Sequence, residues 1–141
     1  MSTVSATRYH DISCGHRVFG HESKCANLHG HNYRVTFEIE SATGLDTIGR
    51  VLDFSVIKSK LAMWLEDNWD HKFLLWSQDP AVSAISAIDS TLVVLPFNPT
   101  AENLGKYLLE VVGPQQLVNT PAQLVKVTVE ETRKCSATVK L

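Results

Sequence analysis

Residues 25–41 read CANLHGHNYRVTFEIES, and two patterns meet in that stretch. From His31 onward, Tyr33, Val35, Phe37 and Ile39 alternate with Asn32, Arg34, Thr36, Glu38 and Glu40. Side chains on extended backbone point to opposite faces in turn, so residues 31–41 read as a half-buried strand. Just before it, His29 and His31 stand two residues apart with Gly30 between them. On a strand both imidazoles share one side, and Gly30 removes bulk from the other.

Working outward, residues 8–14 form a strand candidate and residues 15–30, with Gly15, Gly20 and Gly30, read as a long loop. Gly44 and Gly49 bracket a turn, and RVLDF follows as an extended piece. Ser55 is an N-cap candidate for a helix to about Asn68, with Ile57, Leu61, Trp64 and Leu65 on one face and Val56 and Met63 at its margin. Residues 77–90 hold a short helix opened by Pro80, and residues 91–97 (TLVVLPF) a strand. Thr100 caps a second helix with Leu104, Leu108, Val111 and Val112 as its apolar face, stopped by Gly113-Pro114. Val125, Val127 and Val129 then alternate against Lys126, Thr128 and Glu130, and SATVKL pairs with that strand. The order predicts an α+β domain spanning 1–141, an antiparallel four-stranded sheet with two helices on one face.

The 141 residues are 44% hydrophobic and 20% charged with a formal charge of -2, the balance of a globular chain with no basic stripe for nucleic acid. No apolar run approaches the roughly 18 residues of a membrane span. The N-terminus lacks a basic region followed by an apolar one, so no secretory signal is expected. Cys14, Cys25 and Cys135 are an odd number, which points to reduced thiols in the cytoplasm.

Two imidazoles are too few to hold zinc tightly, and His16, beside a strand end, supplies the natural third. Three histidines with an open fourth position are the arrangement of catalytic rather than structural zinc. An isolated His-x-His is as readily an ordinary turn, so the weight lies in its company. Cys25 is open to several readings: a fourth ligand closing a structural site, a small buried residue, or a base beside the metal; a nucleophile would call for an acyl-type electrophile, which no partner motif supports. Asp70 precedes His71 directly after the first helix, and a carboxylate can orient an imidazole for proton transfer. Such a pair is also a common polar loop. By strand parity Glu131 shares the apolar face of Val127 and Val129, an expensive place for a carboxylate unless a ligand's amidine-like edge pairs with it. If the strand ends at Val129, Glu131 is merely solvated. Thr100 and Glu102 suffice as a helix cap and a dipole partner, with any ligand contact secondary.

Together GHRVFGHESKCANLHGHNYRV, GRVLDF, WDH, NPTAENL and VTVEET, in this order and covering nearly the whole chain from Tyr9, resemble the 6-pyruvoyltetrahydropterin synthase / 6-carboxytetrahydropterin synthase family. The resemblance implies a tunnelling fold (T-fold), zinc (Zn2+) on His16, His29 and His31, and Cys25 as proton acceptor with Asp70 and His71 as its relay. It implies that Glu131, paired with Thr132, anchors the pterin substrate's 2-amino-pyrimidinone edge. It further implies a barrel-shaped homo-hexamer, a dimer of trimers, with active sites between subunits. The Cys-x-x-x-His-Gly-His spacing resembles the bacterial branch that makes 6-carboxy-5,6,7,8-tetrahydropterin from 7,8-dihydroneopterin triphosphate in queuosine-type biosynthesis, releasing acetaldehyde and triphosphate. The sister branch makes the pyruvoyl product.

Two features depart from the family pattern: Ser13-Cys14-Gly15 stands where many members carry small alanines, and residues 77–97 match the shorter bacterial members poorly. A zinc-stabilised binding module without catalysis would use Cys25 as a ligand and unfold without metal. A cyclohydrolase-type relative would lack the complete set of Cys25, Asp70, His71 and Glu131.

Overall fold

A computed structural model describes residues 1–141. Strand β1 (Ser5–His16) pairs antiparallel with β2 (His29–Ser41), so the strands extend further than the alternation alone predicts. Their register sets Ile12 opposite Tyr33, Cys14 opposite His31 and His16 opposite His29. Helix α1 covers residues 54–68, followed by β3 (Lys72–Trp76), α2 (Val82–Ile88) and β4 (Val93–Leu95). Helix α3 covers residues 101–116, and β5 (Ala122–Glu130) and β6 (Ser136–Lys140) close the chain. No helix is long and apolar enough to cross a membrane.

The sheet has six strands in the order β4-β3-β1-β2-β5-β6, not four. It is also mixed: β3 runs parallel to β1, and β4 parallel to β3. The sequence reading missed β3 because its apolar run does not alternate. Leu74 and Leu75 are both fully buried, as a strand covered on both faces requires.

Buried side chains of β1, β2 and β5 form one apolar face: Ile12 and Cys14; Val35, Phe37 and Ile39; Val127 and Val129. Ile57, Leu61 and Leu65 of α1 and Leu104, Leu108 and Val112 of α3 pack into the same core. A bulge in β5 shifts the register between Glu38 and Ile39, so Leu124 rather than Val125 joins the buried face.

Both long helices contain a wider turn with i→i+5 bonding, Lys58–Ala62 in α1 and Leu108–Val112 in α3. In α3 this turn buries Leu109 and leaves Val111 partly exposed. Gly113-Pro114 therefore does not stop the helix. Gly113 N–H donates to Leu108 O and the helix runs on to Gln116, the wide turn easing the carbonyl clash that proline imposes on a regular helix. Thr100 caps α3 as expected, accepting from Asn103 N at 3.1 Å. Asp53, not Ser55, caps α1: its carboxylate accepts from Ser55 N at 2.9 Å.

Candidate metal centre and proton-relay cleft

The β1–β2 register carries His16, His29 and His31 to one end of the sheet, in line with the core columns of Cys14 and Tyr33. Their ligand-capable atoms all lie within 4.8 Å of one another. His16 is fully buried, and the other two are partly covered.

The hydrogen bonds fix which nitrogen His16 and His29 present. His16 Nδ1 donates to Pro99 O at 2.7 Å, and His29 Nδ1 donates to Asn27 O at 2.7 Å. Both Nε2 atoms are therefore lone-pair acceptors, yet they face each other at 3.1 Å. His31 Nε2 is buried with no hydrogen-bond partner. Opposed lone pairs at that distance repel unless a cation joins them. Zn–N bonds of about 2.0–2.1 Å in a tetrahedron put neighbouring nitrogens roughly 3.3 Å apart, so the donor set fits zinc. A backbone carbonyl behind a ligand imidazole is the usual outer-shell support for a metal.

Tyr33 stands behind the cluster, its hydroxyl 3.2 Å from His16 Nδ1 and 3.3 Å from His16 Nε2. Burial pushes the Tyr33 phenol up, and the Glu131 charge pushes it further. Burial drives His16 down to about 4, against the pull of the Pro99 carbonyl and with the help of the other two histidines. His16 is thus held as the neutral imidazole a metal needs. Burial likewise lowers His31, opposed by Glu131.

Glu131 follows β5 on the face that parity assigned to it. Its Oε1 stands 3.5 Å from His16 Nε2 and 3.6 Å from His31 Nε2, with its side chain 27% exposed. Its backbone N–H donates to Cys135 O, and Thr132 Oγ1 accepts from Lys134 N and Cys135 N in the tight turn to β6.

Asp70 and His71 lie in the turn between α1 and β3. Asp70 Oδ1 accepts from Ser13 N at 2.9 Å, and its Oδ2 stands 2.9 Å from His71 Nδ1. Burial works to raise the Asp70 carboxyl, but the Ser13 N–H and His71 outweigh it and leave it below the usual range. His71 adopts φ +60° and its side chain is 81% exposed, so the ring is presented outward while Asp70 holds its Nδ1 edge. A cleft of about 790 Å³ joins Asp70 and His71 to His31, Asn32, Glu131 and Thr132.

Cys25, Thr100 and Glu102 do not line that cleft. Cys25 sits in the short turn Lys24–Ala26 of the β1–β2 connection, outside the histidine group, which weighs against the fourth-ligand reading. Glu102 is exposed in the first turn of α3.

Against known proteins, the family model described as 6-pyruvoyl tetrahydropterin synthase matches residues 5–141. The chain belongs to that family. It is 31% identical over 134 residues to the 6-carboxy-5,6,7,8-tetrahydropterin synthase of Rickettsia typhi, covering 94% of this chain and 96% of the relative. It is 38% identical over 128 residues to a probable 6-carboxy-5,6,7,8-tetrahydropterin synthase of Halobacterium salinarum, covering 89% and 79% respectively. Among solved structures, the 6-pyruvoyl tetrahydropterin synthase of Caenorhabditis elegans superposes with a TM-score of 0.69 at 27% identity, over 100% of this chain and 97% of that one. The T-fold expectation therefore holds, with the strand count and direction corrected as above.

Within this 6-pyruvoyl tetrahydropterin synthase family member, sequence reasoning missed the atoms behind the histidines. Pro99 O and the Tyr33 hydroxyl touch His16 across 83 and 17 positions of chain. Tyr33 was legible only as a core residue, because its alternation says nothing about what its hydroxyl meets.

Proposed function

We propose that this chain is a zinc-dependent 6-carboxy-5,6,7,8-tetrahydropterin synthase, a lyase that converts 7,8-dihydroneopterin triphosphate to the 6-carboxy product with release of acetaldehyde and triphosphate. The observation that carries the reading is the trio of Nε2-presenting imidazoles beside an acidic cleft, with two lone pairs opposed at 3.1 Å. The names of the Rickettsia and Halobacterium relatives support the carboxy branch over the pyruvoyl one.

His16, His29 and His31 hold the metal. When bound there, zinc supplies Lewis-acid polarisation of the substrate's side-chain hydroxyls. Glu131, with Thr132, receives the 2-amino-pyrimidinone edge through a bidentate charge-assisted pair. Cys25 accepts a proton. His71, held by Asp70 through its Nδ1 edge, offers its outer nitrogen for proton transfer. Thr100 and Glu102 serve the start of α3 and reach substrate only secondarily.

Cys25 and the Asp70–His71 pair lie on different connections, and Cys25 does not line the cleft that holds the pair. Their cooperation is best supplied by a neighbouring subunit, in keeping with a homo-hexamer whose active sites lie between chains.

His71→Asn and Cys25→Ala should each lower kcat by about 10²- to 10⁴-fold, the range for a lost acid–base group. Glu131→Gln should instead weaken pterin binding by about 10- to 100-fold, the worth of a charged hydrogen-bond pair. If a mixture of Cys25→Ala and His71→Asn subunits regains activity, the two groups act across an interface. If either variant alone keeps full activity, the relay assignment fails; if both are inactive and their mixture stays inactive, the two groups do not act across an interface.

A further inference from the structure

The connection from His16 to His29 carries Cys25 but has little secondary structure of its own, only the turn Lys24–Ala26. Residues 77–97, which match the family pattern poorly, and the Asn98-Pro99 pair after them hold its first part at three successive points. Arg17 makes a bidentate pair with Asp79, Nε to Oδ2 at 2.7 Å and Nη2 to Oδ1, and the Asp79 side chain is fully buried. Asn98 mimics a strand partner for Phe19: its Oδ1 accepts from Phe19 N at 3.1 Å and its Nδ2 donates to Phe19 O at 2.8 Å. Pro99 O accepts from His16 Nδ1. Phe19 adds an aromatic contact to Trp76, and the Arg17 guanidinium lies 5.6 Å from the Phe19 ring centre.

The two anchors are themselves fixed. Asp79 Oδ1 accepts from Ala81 N at 2.8 Å at the entry to α2. Asn98 O accepts from Asn103 Nδ2 and from Thr100 N at the entry to α3. A bond from Val18 N to Cys25 O at 2.8 Å then ties the far side of the loop to the clamped side.

We propose that Asp79 and Asn98 are positioning residues: they clamp the loop 17–28 so that Cys25 is held in place and the His16 ring keeps its Nε2 turned toward the metal centre. The roles of Cys25 and His16 rest on the function proposed above, whereas the clamp is a statement about geometry. Residues 77–97, through Asp79, are then part of the active-site scaffold rather than a tolerated insertion.

The three cysteines make the test. Cys14 is buried and donates to Trp69 O at 3.2 Å, so its alkylation reports unfolding. Cys135 is exposed and serves as the internal reference. Iodoacetamide labelling of the zinc-free protein, resolved by peptide mass spectrometry, gives the Cys25/Cys135 rate ratio.

Asn98→Asp replaces a donor to Phe19 O with a carboxylate facing it, and loss of one such bond should change the ratio by about fivefold or more while Cys14 stays protected. Asp79→Asn should act in the same direction, and both should weaken zinc binding by about tenfold through His16. If Asp79→Asn exposes Cys14, the protein has opened globally and the Asn98→Asp result decides. A Cys25/Cys135 ratio within about twofold of the parent in Asn98→Asp, with Cys14 protected, overturns the clamp. Labelling needs neither substrate nor zinc, so an inactive protein would sink the proposed function without touching this result.

Discussion

Removing the metal should leave this protein folded. The three histidines are carried by backbone already paired in register, His16 opposite His29 and Cys14 opposite His31. None of them belongs to the 23-residue apolar core, which packs both long helices against the sheet without any metal. Zinc then stabilises only by linkage, about 2.7 kcal/mol when free zinc is 100 times its Kd and about 4.1 kcal/mol at 1,000 times. For a chain of this size each kcal/mol moves Tm by about 2–4 °C, so stripping the metal should lower Tm by about 5–16 °C. Structural zinc behaves differently: its roughly 10–16 kcal/mol is the folding free energy, and the chain unfolds without it. Circular dichroism melts of chelated protein, repeated over a zinc titration, separate the two. A chelated protein already unfolded at room temperature, or a Tm indifferent to zinc, would refute the reasoning.

Tyr33→Phe removes a buried hydroxyl 3.2 Å from His16 Nδ1; it should cost about 1 kcal/mol in denaturant melts and weaken zinc by about tenfold in chelator competition. Leu61→Ala empties a fully buried position between α1 and the sheet and should cost about 2–5 kcal/mol by urea denaturation. The Arg17 guanidinium holds the Asp79 carboxyl below its usual range, so its stabilisation is complete above the unfolded value near about pH 4 and is lost as pH falls through the folded one. Tm should therefore hold above about pH 5 and fall as the pH is lowered below about 4, less steeply in Asp79→Asn.

How much of this was legible depended on whether a residue's partner lies near it in the pattern or far away in the chain. Strand β2 was readable because Tyr33, Val35, Phe37 and Ile39 meet the core while their neighbours meet solvent. Strand β3 was not, since Leu74 and Leu75 are buried on both faces and leave no alternation. In β5 the alternation of Val125, Val127 and Val129 was real but incomplete, because a bulge substitutes Leu124 for Val125 on the buried side. Gly113-Pro114 carries the local chemistry of a helix stop, and the wide turn before it overrides that chemistry. The histidine trio was accessible because spacing by two and a strand end are local signals. Its supports were not: Pro99 O reaches His16 from 83 residues away, and Arg17 finds Asp79 from 62 away.

The central claim is the reaction, and its most direct test is product analysis by mass spectrometry after zinc-loaded protein is incubated with 7,8-dihydroneopterin triphosphate, beside a Cys25→Ala control. The account predicts a 6-carboxytetrahydropterin together with acetaldehyde, both lost in the control. A pyruvoyl product, or no turnover by a protein that demonstrably holds zinc, would contradict it.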